Sequence, residues 1–320
     1  MKGKSQQPNP ADPGSGTIQS GQSDHSRAIL WMVLATILFA TVTVLVRLIS
    51  SDMPAAQAGF IRYVIGTILL LPFILPMMHQ MVNKNTSGKR GFDRRTMVLF
   101  SLRGILHGGA VILWFYAIAH IPIGEVTALG FTAPVYITIG AALFLGEKLA
   151  IRRISAVCCA FVGMMAIIRP GFQEIGPGHI AQLIAAPLFA ASYLIARTLT
   201  VQARSVVIVG WLSIFVTAAM TPFALIVWQP PIVSDIAWLG VVAVLATFGH
   251  FALTQCFRAA PLAVSQPASF LQLVWAIAAG AILFGEMIDP FVVLGGGIII
   301  ASVSYITWRE SVVKAKSSSQ

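Results

Sequence analysis

Charge is scarce in this sequence. Asp, Glu, Lys and Arg make up only 10% of its 320 residues, against about a quarter in ordinary soluble proteins, so a surface that faces water everywhere is excluded. Acidic residues are the scarcer sign, 11 against 21 Lys and Arg. Cysteine is almost missing: Cys158 and Cys159 are neighbours in one apolar run and Cys256 lies in another. This pattern holds no CxxC pair, no zinc spacing and no disulfide framework, so the cysteines are read as small packing residues, and no metal or cofactor is expected. The Gly-rich phosphate loop of ATP-hydrolysing proteins is also missing, so nothing supports ATP hydrolysis by this chain.

What is abundant is apolar side chain. Hydrophobic residues reach 57% and mean hydropathy is +0.83. A protein of this mass has too little interior to hide so much, so the surplus must face lipid. The fold class predicted is an all-α polytopic membrane protein, whose helices satisfy their own backbone groups in the bilayer. The net charge of +10 does not mark a nucleic-acid partner, because the basic residues sit in short loops and form no continuous stripe.

A hydrocarbon core about 30 Å thick takes about 20 helical residues per crossing. Ten runs qualify, near 28–49, 55–78, 97–119, 123–145, 154–168, 179–197, 205–228, 236–256, 262–284 and 291–308. Before them, residues 1–27 are rich in Pro, Gly, Ser and Gln and are expected to form a disordered cytoplasmic tail. A second tail covers 310–320. The run from Ala28 is too long for a signal-peptide core and shows no small-residue cleavage site, so it is expected to remain as the first span.

Sixteen Lys and Arg residues fall in the N-terminal tail, in loops 79–96, 146–153, 198–204 and 257–261, and after the last span, from Arg309 onwards. The alternate loops hold one, Arg169, beside Asp52, Glu174, Asp235, Glu286 and Asp289. Such asymmetry predicts a multi-pass protein of a bacterial inner membrane with both termini cytoplasmic. The cluster Lys84, Lys89, Arg90, Arg94 and Arg95 is read as a contact with anionic membrane lipid.

The sequence also repeats itself. A shift of 139 residues lays the fourth span on the ninth without a gap: Pro122 meets Pro261, Phe131 meets Phe270, and Gly146-Glu147 meets Gly285-Glu286. A shift of 150 lays Leu38-Phe39-Ala40 and Arg47 on Leu188-Phe189-Ala190 and Arg197. Two five-span units follow, 28–169 and 170–309. Five is odd, so the second unit enters the membrane from the opposite side, an inverted-topology repeat. Such halves can exchange conformations, opening a pocket between them to one face and then the other, which is alternating access.

The ten-span plan resembles the EamA type of the drug/metabolite transporter superfamily. The resemblance rests on Phe60-Ile61-Arg62, Leu102-Arg103-Gly104, Phe115-Tyr116-Ala117, Ile121-Pro122, Gly146-Glu147-Lys148 and the second Gly285-Glu286. It implies two EamA-like five-helix repeats and a secondary transporter of a small organic metabolite, such as an amino acid, nucleoside-like or vitamin-like solute. Export is expected over import. The alternatives are an uptake permease for a metabolite such as S-adenosylmethionine or riboflavin, and a non-transporting receptor or channel. The resemblance is one-sided at Arg62, which has no Arg counterpart in the seventh span.

Candidate site residues are the polar and aromatic groups placed inside spans, where burial is costly and needs a reason. Arg62 lies about 10 Å from the nearer end of the second span at 1.5 Å per residue. Glu125, the carboxylate inside a span, is its expected partner, and the two are read either as a structural pair or as a clamp for a substrate carboxylate or phosphate with its counter-charge. His107 is expected near the midplane, as a packing residue or a pocket group, and His250 likewise. Coupling to a proton is referred to Glu125, His107 and His250. Arg47, Arg103 and Arg197 are expected to snorkel or to pair within the scaffold.

Tyr136 and Trp275 align under the shift of 139 and are expected to form equivalent aromatic walls, with Gln255 and Gln272 as amide contacts. Trp114 and Tyr116 are assigned to the interfacial aromatic belt. Pro134, Pro187 and Pro267 are expected to interrupt their helices at the site, since proline frees a carbonyl that a neighbour, water or solute must satisfy. His107-Gly108-Gly109 has no accompanying nucleophile motif, so no catalytic residue is assigned and the chain is not read as an enzyme. A monomer or homodimer is expected.

Overall fold

The computed structural model describes residues 15–49, 53–82, 93–133, 135–136, 151–169, 171, 174–259 and 268–317. Among the described residues there are ten helices and no strand. They are α1 (Ser15–Ile49), α2 (Ala55–Val82), α3 (Arg94–His120), α4 (Ile123–Gly130), α5 (Ile151–Ile168), α6 (Pro177–Leu199), α7 (Ser205–Ile226), α8 (Val233–Ala259), α9 (Leu271–Phe284) and α10 (Pro290–Ser317). Six carry segments long and apolar enough to cross a membrane: Ser26–Ile49, Ala55–Pro76, Arg94–His120, Pro177–Leu199, Ser205–Ile226 and Val233–Ala259. Shorter apolar segments occupy Cys158–Ile168, Leu271–Phe284 and Pro290–Tyr305. Large apolar side chains such as Leu30, Phe73, Ile105, Phe161, Phe248 and Ile282 remain exposed around the bundle, as a lipid-facing surface requires.

Helix ends follow local chemistry. Asp93 caps α3, its carboxylate accepting the Thr96 N–H at 3.0 Å, and the Thr96 side-chain and backbone groups hold the Asp93 carboxyl below the ordinary carboxylate range. Pro177 opens α6, where its missing N–H costs nothing. At the end of α9, Gly285 adopts φ 64° and the Glu286 N–H donates to the Gly280 carbonyl at 3.0 Å, which closes the helix with a left-handed residue. The turn delivers the Glu286 carboxylate to the start of α4, where it accepts the Ile123 N–H at 3.1 Å. The Gly285-Glu286 pair therefore terminates one helix and caps its repeat-related partner.

The fourth span departs from the continuous helix expected over 123–145. α4 stops at Gly130, Phe131 and Thr132 form a turn, and helical backbone resumes at Ala133. Proline at 134 brings no N–H to the Gly130 carbonyl four residues back. Phe270, equivalent to Phe131 under the shift of 139, also sits in a turn, just before α9. The two phenyl rings meet edge to face, centroids 5.2 Å apart. Pro134 and Pro267 themselves, like residues 146–148, lie outside the described residues. Helical backbone also begins at Ser15, inside the tail expected to be irregular, and continues to Ser317, into the C-terminal one.

Helix packing obeys an exchange rule. Replace each helix by the one five places along and the contacts map onto one another: α3 on α6 becomes α8 on α1, α3 on α7 becomes α8 on α2, and α1 on α9 becomes α6 on α4. The pairs α2 with α7, α4 with α9 and α5 with α10 map onto themselves and straddle the axis. The α5–α10 crossing is set by glycine, since a Cβ on Gly163 would lie 2.7 Å from the Gly295 carbonyl oxygen. Gly104 likewise lets α3 lie against the backbone at Phe215.

Candidate solute cavity

A cavity of about 210 Å³ lies between the two halves, walled by α1, α2, α3 and α4 of the first and α6, α8 and α9 of the second. Its lining on α1, at Met32, Ala35, Thr36, Phe39 and Val42, and on α6, at Gln182, Phe189 and Tyr193, follows single helical faces. The centre is an aromatic chain with two-fold character. Phe39 sits edge-on to His250 at 5.1 Å, His250 to His107 at 5.0 Å, and His107 to Phe189 at 5.1 Å. Phe189 also meets Trp114 edge-on at 6.2 Å and stacks on Tyr193 at 5.9 Å. Phe39 and Phe189 are repeat-related, and each packs on a histidine from the opposite half.

Of the expected site residues, Arg62, His107 and Gln272 line this cavity. His107 is also held in place, with Nδ1 3.1 Å from the Ser192 hydroxyl. Arg62 is buried, its guanidinium over the Tyr63 ring at 4.1 Å and its Nε without a hydrogen-bond partner. Glu125 does not meet it. The Glu125 carboxylate is 2.9 Å from Nε2 of His179, at the start of α6, and faces a separate space of about 40 Å³ shared with Glu286 and Asp289. The cause is position: Glu125 lies in the first turn of α4, level with the first turn of α6, while Arg62 is deeper along α2.

Gln255 is turned to the scaffold, where its side-chain oxygen accepts the Ser205 hydroxyl at 2.7 Å. Trp275 is 41% exposed on the outside of α9, so the paired aromatic walls of Tyr136 and Trp275 do not form. Tyr136 is half-buried and away from the cavity wall, and Pro187 lies within α6 without lining it. The walls come instead from Phe39, Trp114, Phe189 and Tyr193. Trp114, assigned to the belt, faces inward; Tyr116 stacks on His120 at 3.9 Å. Gln182, absent from the expected set, is buried with its Oε1 lacking a partner.

One face of the bundle, where α1, α5 and α9 end and α4, α6 and α10 begin, is tied across the halves by ion pairs. Glu125 joins His179, Arg47 lies 3.5 Å from Glu286, and Arg169 pairs with Asp289. Arg47 also donates to the carbonyls of Ile118 and, at 3.2 Å, Ile121. It is thus a cross-half strut, the scaffold pairing of the two alternatives expected. Burial pushes the Glu286 carboxyl above its ordinary range, against the Ile123 N–H and Arg47, which pull it down. Arg103 pairs within the scaffold as expected, donating to the Ile208 carbonyl at 3.1 Å, and Arg197 is exposed.

A cavity at the interface of two repeated helical halves is the hallmark of a membrane solute carrier. The model of the EamA-like transporter family matches residues 26–169 and again 176–308, and the chain belongs to that family. It is 29% identical over 291 residues to a riboflavin transporter of Rhizobium johnstonii, covering 89% of this chain and 93% of that one. It is 23% identical over 292 residues to an S-adenosylmethionine uptake transporter of Rickettsia bellii, covering 91% and 97%. It is 24% identical over 279 residues to a pseudopaline exporter of Pseudomonas aeruginosa, covering 86% and 93%. A crystal structure with 16% identity superposes with a TM-score of 0.55 over 92% of this chain and 99% of the other, a likeness of fold. The protein is a polytopic membrane transporter and not an enzyme.

Proposed function

We propose that this chain is a secondary transporter of a small organic metabolite in the bacterial inner membrane, working by alternating access between inverted halves 28–169 and 170–309. The observation that carries the reading is the central cavity, whose walls come from both halves, together with the ion pairs that join the halves at one face of the bundle. Charge asymmetry supports cytoplasmic termini, which makes the ion-paired face periplasmic. The lining runs from Val42, Val126 and Gln182 near that face to Met32, Phe257 and Ser269 towards the other, as in a carrier closed to the periplasm.

Rocking about the α4–α9 and α2–α7 contacts would part the ion pairs and close the cytoplasmic side. Alternating access is reversible, so gradients set the net direction. Similar proteins are named for both uptake and export. Arg62, His107 and Gln272 are the expected site residues that this reading keeps in contact with solute, joined by His250 and the four aromatic walls. Counterflow in proteoliposomes tests the reading: labelled solute accumulates transiently against unlabelled solute through a carrier, whereas a receptor gives binding without exchange. Equal flux with and without a pH gradient would reject proton coupling.

A further inference from the structure

Buried cationic side chains in this protein lack an equal number of buried carboxylates. Arg62 is 4% exposed and Arg103 2%, and the imidazoles of His107, at 1%, and His250, at 5%, lie at the level of the central cavity. Among the described residues the buried carboxylate is Glu125, already engaged by His179. Arg103 is bonded to the Ile208 carbonyl and does not line the cavity. Arg62 does line it, with no acidic partner among the described residues and with Nε unbonded. His250 lines it too, and its Nδ1 has no partner.

The Arg62 guanidinium rests on the Tyr63 ring but has no counter-charge among the described residues, and an arriving anion lowers the cost of holding it in an apolar bundle. Guanidinium presents a planar fork matched to an oxyanion, and the His250 Nδ1–H tautomer supplies a further donor. The rest of the wall favours a flat partner. Phe39 and Phe189 line the cavity, one from each half, and the unpartnered Gln182 Oε1 can accept from a ring N–H or hydroxyl. The space of about 210 Å³ is below the roughly 300 Å³ where pockets for drug-sized ligands begin, so the ligand is small.

We propose that the cavity binds a small planar organic anion, its oxyanion on Arg62 and His250 and its ring against the aromatic wall that includes Phe39 and Phe189. This rests on the transporter reading and names the substrate class of that site. Carboxylate and phosphate share the chemistry, and a matched probe set separates them: 1-naphthoate, 1-naphthyl phosphate, the neutral 1-naphthamide and the cationic 1-naphthylmethylamine. With the purified full chain, titration calorimetry should give at least about tenfold tighter binding of one of the anions than of the amide, the scale of a charged hydrogen bond, and no binding of the amine. The tighter anion names the oxyanion.

Arg62→Gln should bring anion and amide within about threefold of each other. The wild-type panel stands alone should that variant fail to fold. Absence of an anion preference in wild type, whether the probes bind alike or none binds, overturns the proposal. Counterflow keeps the two readings apart. Exchange of the amine or amide without the anion overturns the anion class and leaves transport standing, whereas anion binding with no exchange of any probe supports the anion site and counts against transport.

Discussion

His107 and His250, one from each half, meet ring to ring with centroids 5.0 Å apart, and each has a phenylalanine of the other half edge-on behind it. The gap-free shift of 139 sets His107 against Ala246, one turn of helix from His250. Two-fold character at the centre is therefore a property of the packed helices, reached through residues that do not align one to one.

That arrangement predicts equivalent roles for Phe39 and Phe189. Substituting either by Ala removes an aromatic wall contact worth about 0.5–1.5 kcal/mol beyond area burial. Each variant should weaken the apparent affinity for solute in counterflow by about three- to tenfold, to similar extents. A strong effect at one position and none at the other would show that solute leans on a single half.

The Glu125–His179 contact is buried on both sides, with side-chain exposures of 6% each. Removing one partner strands the other, at about 1–3 kcal/mol. Glu125→Ala and His179→Ala should each lower the melting temperature in detergent, and the double variant should lose less than the sum of the two. Strict additivity would mean the two side chains act independently.

The α5–α10 crossing depends on a missing side chain. Ala at Gly163 would press its Cβ towards the Gly295 carbonyl oxygen, at 2.7 Å in the present geometry, and should destabilise by about 1–3 kcal/mol. Gly240→Ala is the control, since nothing lies within 4 Å of its Cβ, and there a helix interior gains from Ala. Equal melting temperatures for the two variants would refute the close-contact argument.

Glu286 gives a pH dependence with a definite sign. Its carboxyl is raised above the ordinary range by burial, so on acidification it takes up a proton earlier than an exposed Glu. The folded state binds that proton more tightly than the unfolded chain, so the Glu286 contribution to stability falls as pH rises through the raised range. The protonated form loses its attraction for Arg47, so mild acid on that face should loosen the link. Labelling of Asp289→Cys by an impermeant thiol reagent should speed up as pH falls towards about 5, after correction for thiolate fraction, and Glu286→Gln should make the rate pH-independent. A wild-type rate unaffected by pH would remove Glu286 from the seal.

Legibility in the sequence followed the strength of the physical signal. Apolar runs announced the positions of the ten helices among the described residues, because lipid leaves few alternatives to helix. The paired Gly285-Glu286 and Gly146-Glu147 gave the repeat, and φ 64° at Gly285 supplies the reason for the glycine. The turn at Phe131 and Thr132 comes shortly before position 134, which lies outside the described residues. The cavity lining was legible only in part. Arg62, His107 and Gln272 stood out as polar groups within apolar runs, but Glu125 was paired with the wrong cation. Depth along one helix says nothing of which neighbour lies beside it, and His179, at a span's edge, drew no attention. Phe39 and Gln182 were missed for a related reason: an aromatic or amide among apolar residues looks alike whether it faces lipid, scaffold or cavity. The helical spacing of Gln182, Phe189 and Tyr193 was the available clue.

Alternating access requires that one cavity be reached from both sides of the membrane. In a background with Cys158, Cys159 and Cys256 replaced by Ala, a single cysteine at Thr127, on the cavity wall, can be challenged with impermeant thiol reagent from each side of oriented vesicles. Alternating access predicts labelling from both sides, with labelling from the periplasmic side abolished once Arg169→Cys and Asp289→Cys are joined by a short thiol cross-linker while cytoplasmic labelling persists. Labelling from one side alone in the unlinked protein, or labelling from both sides that the cross-link does not change, would contradict it.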